Sequence, residues 1–339
     1  MIVRLPTAFC ITVFLLVFGI ASADSARAVD AGRGITLFDQ EQYLMAVRFF
    51  TEAVNDESDN PVLHFYLGRS LLALDQSKEA LSHLKTAAEL QPAEPDYRFW
   101  LGVGYWAVME FEEERQSYLK TLELNPDHIQ ARLYLGHNYL DRNEWQLALD
   151  QYDRVLAIDP GSPEALYNRA LALREMGRAR DERAAWRVYL ERYPTGRRAF
   201  RAVEHLNRYG DFSFRPVVLG VRKYVLPTLG FYPFSDTLTP ADRSALERLG
   251  EALTWQPDLA VHVVAHVDGD HRLASLRAKA VRRYIIRTFP EIAGDRLRLS
   301  WFGGAEEITI EDNLFFLDES IRFISIPADT RAGKGGNND

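Results

Sequence analysis

Glycine recurs at Gly34, Gly68, Gly102 and Gly136, with Ala170 in the fifth place, and proline recurs at Pro92, Pro126, Pro160 and Pro194. Both series keep an interval of 34 residues without slippage. A period of that length, carried by small residues and a terminating proline, marks a solenoid of helix pairs. Five units fit with no insertion: 27–60, 61–94, 95–128, 129–162 and 163–196. Gly and Ala let the two helices of a unit approach closely. Larger side chains at Phe50, Leu84, Tyr118, Tyr152 and Trp186 fill the gaps between units, and proline stops the second helix.

The units resemble the tetratricopeptide repeat. Leu67-Gly68, Leu101-Gly102 and Leu135-Gly136 stand at its seventh and eighth positions, Tyr105 and Tyr139 at the eleventh, and Ala46, Ala80 and Ala148 at the twentieth. Glu114 and Glu182 replace the small residue at the twentieth position and Ser58 replaces the first terminal proline, which predicts looser packing in the units concerned. Phe200, Val203 and Leu206 follow at helical spacing with Gly210 behind them, so 197–210 reads as a capping helix closing a solenoid over 24–210. The resemblance implies that the first helix of each unit lines a groove. The inward positions there hold Phe38, Phe65, Leu72, Phe99, Trp106, Leu133, Leu140 and Tyr167. Such a stripe fits an apolar peptide or partner helix, or equally packing against the chain's own second domain or a neighbouring repeat. The Lys/Asn/Arg set with which some family members clamp a peptide carboxylate is missing from those places.

The solenoid is the acidic part of the chain. Residues 24–196 carry 29 acidic and 19 basic side chains, net −10, whereas 197–339 carry 19 and 20, net +1. That balance argues against nucleic acid as a ligand, because phosphate binding needs a concentrated basic face. Ahead of the repeats, Arg4 precedes an apolar run from Ala8 to Ala21, and Ala21-Ser22-Ala23 supplies a small-x-small cleavage pattern. Residues 1–23 therefore read as a secretory signal peptide, the alternative being an uncleaved anchor. The run is shorter than the ~20 residues a spanning helix needs. Cys10, the one cysteine, lies inside it, so the expected mature protein has no thiol, no disulfide and no thiolate metal site, as suits a bacterial periplasm.

Residues 211–225 read as a connector with one or two strands. Beyond it, Thr239-Pro240-Ala241-Asp242 gives an N-cap, a first-turn proline and an acid ahead of a helix with Leu246, Leu249 and Leu253 on one face. A strand is predicted at 259–267, a helix at 272–288 and strands at 296–302 and 321–326: a small α+β domain with helices on one face of a mixed sheet. This order over 226–327 resembles the OmpA-like peptidoglycan-binding domain of Gram-negative envelopes. Ala265-His266-Val267-Asp268 resembles the family's Gly-His-Thr-Asp, and Leu273-Ala274-Ser275-Leu276-Arg277-Ala278 its Leu-Ser-x-x-Arg-Ala. Phe302-Gly303 with Glu306, and Ser320-Ile321-Arg322-Phe323, are similar to its later segments.

The resemblance implies that Asp268 and Arg277, with Arg322, hold the amine and carboxylate of the diaminopimelate in the wall peptide. A zwitterionic end calls for one carboxylate and one guanidinium. The loop between Asp268 and Arg277 is shorter than the family's and lacks its Asn, and Ile321 stands where an arginine is expected. The other reading of the pair is a salt bridge fixing the helix start. A rival site shares the stretch: His262, His266, Asp268, Asp270 and His271 could ligate a metal in an exported hydrolase. No nucleophile elbow or phosphate loop accompanies it, and no cofactor is expected. Residues 328–339 read as a flexible tail. The expectation is a periplasmic, non-enzymatic scaffold that binds an envelope protein or peptide through the repeats and peptidoglycan through the second domain. The alternatives are a second domain used for protein contact alone, or the metal-dependent hydrolase.

Overall fold

The structure is a computed structural model that describes residues 24–220 and 222–326; the expected signal peptide and tail lie outside the described residues. The repeat period reappears as helix geometry. First helices are α1 (Asp24–Asp39), α3 (Pro61–Ala73), α5 (Pro95–Ala107), α7 (Ile129–Asp141) and α9 (Pro163–Glu175). Second helices are α2 (Tyr43–Asp56), α4 (Ser77–Leu90), α6 (Phe111–Leu124), α8 (Trp145–Ile158) and α10 (Ala179–Arg192), and α11 (Gly196–Arg208) is the predicted cap. α4, α6, α8 and α10 each end two residues before their proline, which has no N–H to continue the ladder. Prolines at the first position of α3, α5 and α9 sit behind the capping side chains of Asn60, Glu94 and Ser162.

The repeat also has a corner that the glycine and proline series do not reveal. Glu41, Asp75, Met109, Asn143 and Gly177 turn from first to second helix in the left-handed region, at φ of 58°, 60°, 65°, 63° and 69°. The glycines at the eighth position meet their own unit's second helix. A β-carbon on Gly102 would lie 2.5 Å from the Tyr118 ring, and one on Gly136 2.7 Å from Tyr152. The large residues at this level thus fill space within their own unit, and Leu84 also packs between units as expected, in one core with Tyr97 and Leu101. Nor is the fifth unit loose at Glu182. Its carboxylate is buried and accepts hydrogen bonds from Trp186 Nε1 at 3.1 Å and Tyr209 Oη at 2.7 Å, so both oxygens are satisfied.

The described residues divide into two compact units that meet between residues 131 and 132, inside α7. In the second unit no break occurs at residue 210. The predicted connector is a hairpin, β1 (Phe214–Leu219) with β2 (Arg222–Pro227), and its side chains go two ways. Phe214 and Val225 join the apolar core of α8 to α11, while Val217, Leu219 and Leu226 join the core of the sheet domain. Arg187 with Asp211 at 2.6 Å and Phe212 edge-on to Phe315 reinforce the join.

The rest of the second unit comprises α12 (Pro240–Trp255), β3 (Ala260–Val267), α13 (His271–Thr288), β4 (Leu297–Phe302), β5 (Glu306–Ile310), β6 (Asn313–Leu317) and β7 (Glu319–Ile326). The capping box of Thr239 and Asp242 starts α12 as its sequence requires. β3 is central in the sheet order β4-β3-β7, parallel to β4 and antiparallel to β7. Its Val261, Val263, Ala265 and Val267 face the helices, meeting Leu246 and Leu249 of α12 and Ala274, Ala278 and Val281 of α13 in one core. The hairpin β5-β6 is an addition to the predicted order. Among the described residues no helix is long and apolar enough to cross a membrane.

Candidate functional site

The end of β3 and the start of α13 are joined by Asp268-Gly269-Asp270. Gly269 is at φ 72°, a conformation that glycine adopts without strain, and this lets the chain reverse so quickly. The Asp268 N–H donates to the Asp318 carbonyl at 2.7 Å and the Gly269 N–H to Gly303 at 3.0 Å. Asp270 is the N-cap of α13, accepting from the Leu273 N–H at 2.8 Å. Asp268 itself points to solvent.

Arg277, in the second turn of α13, is 2% exposed. Its Nε donates to the Ser235 carbonyl at 3.0 Å, its Nη1 lies 2.7 Å from Glu319 Oε2, and its guanidinium stands over the Phe231 ring at 4.8 Å. Nη2 is buried with no hydrogen-bond partner. A buried guanidinium N–H left unpaired is costly, so this edge of Arg277 is the unsatisfied group of the site. The helix-start salt bridge offered as the plain reading of Asp268 and Arg277 does not form, because the carboxylate on Arg277 is that of Glu319. Sequence reasoning missed Glu319, Phe231 and Ser235, which are brought in by strand register and by the loop after β2.

Arg322 does not belong to this cluster. β7 pairs Val264 with Arg322 and Ala265 with Ile321. Opposed residues share a sheet face, so Ile321 turns to the helices and Arg322 to the opposite face. There Arg322 Nε lies 3.2 Å from Glu306 Oε1, and Arg215 grips both oxygens of the same carboxylate.

The metal reading fails on the same alternation. His262 and His266 lie on the face away from α13, His262 Nε2 against Ser300 Oγ at 2.8 Å and His266 stacked on Phe302. His271 is edge-on to Trp301, on the helix side of the sheet, and Asp270 is engaged as a cap. Among the described residues no three such side chains come together as a metal cluster.

The predicted groove residues separate by repeat position. Those at the fifth, Phe65, Phe99, Leu133 and Tyr167, are buried: Phe65 against Tyr97, Phe99 against Tyr118, and Tyr167 against Trp186. They are core, which corrects their assignment to an open groove. Those at the twelfth keep surface: Phe38, Leu72 and Leu140 are half-buried and Trp106 is exposed. The partly exposed aromatics missed from the sequence are Tyr66, Trp100 and Tyr134 at the sixth position, although they too recur every 34 residues.

Comparison with known proteins agrees with this architecture. Tetratricopeptide-repeat models match residues 37–98 and 164–196, and a further TPR repeat model matches 136–177. The OmpA family model matches 230–314. The chain is a tetratricopeptide-repeat protein with a C-terminal OmpA-like domain. Solved structures similar to it are of low identity. One titled for PilF of Pseudomonas aeruginosa is 15% identical, covering 56% of this chain and 86% of that one at a TM-score of 0.50. A MamA structure is 18% identical over 55% and 97% of the two chains at 0.46. YrrB, titled a TPR protein with an unusual peptide-binding site, is 18% identical over 51% and 89% at 0.46. No match was found among curated proteins. The OmpA-like match spans Asp268, Arg277 and the loop that covers Arg277, while Glu319 lies just past its end.

Proposed function

We propose that the protein is a periplasmic, non-enzymatic tether whose OmpA-like domain binds peptidoglycan non-covalently and whose repeats hold an envelope protein or peptide. The observation that carries this is the unsatisfied Nη2 of Arg277, an edge suited to a ligand carboxylate in a domain of a wall-associated family. In this reading Asp268, exposed at the end of β3, accepts from the ligand's ammonium group. Glu319, half-exposed on its strand end, stands in the place of the ligand carboxylate and must swing aside for it. The repeats contribute the partly exposed Phe38, Leu72, Trp106 and Leu140 toward a protein partner.

Sedimentation of the purified protein with insoluble peptidoglycan tests this. Wild type is expected to pellet, and Asp268→Ala and Arg277→Ala to remain in solution. Equal pelleting of all three would remove the pair from the binding site. A soluble wild type would favour the reading in which the domain touches protein alone, which the occupancy of Arg277 by Glu319 also supports.

A further inference from the structure

Arg69, on α3, is held by aromatic rings and not by a carboxylate. Its guanidinium lies over four aromatic rings: Trp100 at 4.3 Å, Phe38 at 4.5 Å, Phe65 at 5.1 Å and Tyr66 at 5.5 Å. Among the described residues it makes no ion pair, and its Nε is buried with no hydrogen-bond partner. Asp39 and Asp96 are near enough to act on its charge without pairing with it, and Asp96 is taken by His128 at 3.1 Å. Burial pulls the Arg69 pKa down, as it does when a cation lacks a counter-ion in contact.

Rings stabilise a guanidinium through its face and leave its edge, where all five N–H groups lie, to find acceptors elsewhere. Tyr66, Arg69, Phe38 and Trp100 are all partly exposed, and of the guanidinium nitrogens only Nε is both buried and unpaired, so the Nη side is the one a ligand meets. We propose that Arg69 reads a single Asp or Glu side chain in the middle of an otherwise apolar protein segment that crosses α1, α3 and α5. This rests on the reading of the repeats as a protein-binding surface. The acid is single because Asp39 and Asp96 repel a second carboxylate, and a phosphate dianion would call for more than one cation. It is internal because the cup is floored by the middle helix and walled by Phe38 of α1 on one side and Trp100 of α5 on the other. The occupant therefore continues past Arg69 in both directions over apolar surface.

The test is a selection of random dodecapeptides, displayed with their C-termini blocked, on the full chain. Enriched sequences are expected to carry one acidic residue between apolar ones. Resynthesised with Gln for that acid, they should bind at least about tenfold more weakly, the scale of one charge-assisted pair. An Arg69→Met chain should bind the acidic and Gln peptides equally. Enriched peptides without an acid, or with Gln forms that bind as well, overturn the role of Arg69 and leave the groove reading standing. Enrichment of nothing overturns both. Should Arg69→Met lose the wild-type circular dichroism spectrum, the Glu-to-Gln comparison on the wild-type chain decides alone.

Discussion

Arg215 and Glu306 meet in a two-pronged ion pair, Nη2 to Oε1 at 2.9 Å and Nη1 to Oε2 at 3.2 Å, with the carboxylate 2% exposed. The pair ties β1 to β5, and Arg322 of β7 adds a third connection. Removing the acid leaves two cations facing each other, Arg215 of them mostly buried. Glu306→Ala is therefore expected to cost about 3 kcal/mol, the low end for breaking a buried pair because Arg322 remains half in water. The urea midpoint of unfolding measures it.

The same carboxyl gives an acid limb to stability. Burial pushes its pKa up, and the bonds from Arg215 with the charge of Arg322 more than reverse this, leaving it below the ordinary range. A depressed carboxyl stabilises the fold above its unfolded value and loses that contribution as pH falls through the folded one. Melting temperature should thus drop from about pH 4.5 downward, and drop less in Glu306→Gln.

His137 and His205 are each pulled down to about 4. Burial is the main cause in both, assisted by Arg198 for His137 and by Arg174, Arg208 and Arg201 for His205. Both rings are neutral in the fold, His137 bonded to Asn168 and His205 stacked on Trp186. A base with a lowered pKa stabilises above its unfolded value of about 6.5 and stops doing so as pH falls toward 4. Two-dimensional NMR of the ring nitrogens should show both neutral at pH 5, and protonation of either ring near pH 6.5 would contradict this.

At Gly102 a methyl group would enter the fully buried Tyr118 ring. Alanine ordinarily favours a helix by up to about 1 kcal/mol over glycine. Here the clash wins, and Gly102→Ala is expected to lower stability by about 1–3 kcal/mol. Thermal unfolding followed by circular dichroism checks the sign.

If Glu319 holds the place of a ligand carboxylate, its removal should help binding. Glu319→Ala is expected to raise the fraction of protein that sediments with peptidoglycan, while Arg277→Ala abolishes it. An unchanged Glu319→Ala pellet would show that Glu319 does not compete.

The repeats were legible because their constraint is periodic: each glycine makes room for a large side chain of the second helix, and each proline follows one helix end. The helices and core strands of the OmpA-like domain were legible from capping residues and alternation, as at Thr239 and in Val261 to Val267. What escaped was decided by pairing between distant strands. Glu319 reaches Arg277, and Arg322 turns from it, because of a register set across β3 and β7. Phe65 and Tyr66 show the same limit on a helix, where one step of the chain separates core from surface.

The β1-β2 hairpin gives its side chains to two cores, and this has a mechanical consequence. A polypeptide string between the last repeats and the OmpA-like domain would absorb a pull by straightening. A hairpin clamped at both faces hands the pull on, so in the proposed tether a partner held by the last repeats would be indexed to the wall in angle as well as in distance. For the same reason no cut at residue 210 leaves two dry pieces: the repeat fragment would keep the emptied socket of Phe214 and Val225, and the other fragment would expose those two side chains.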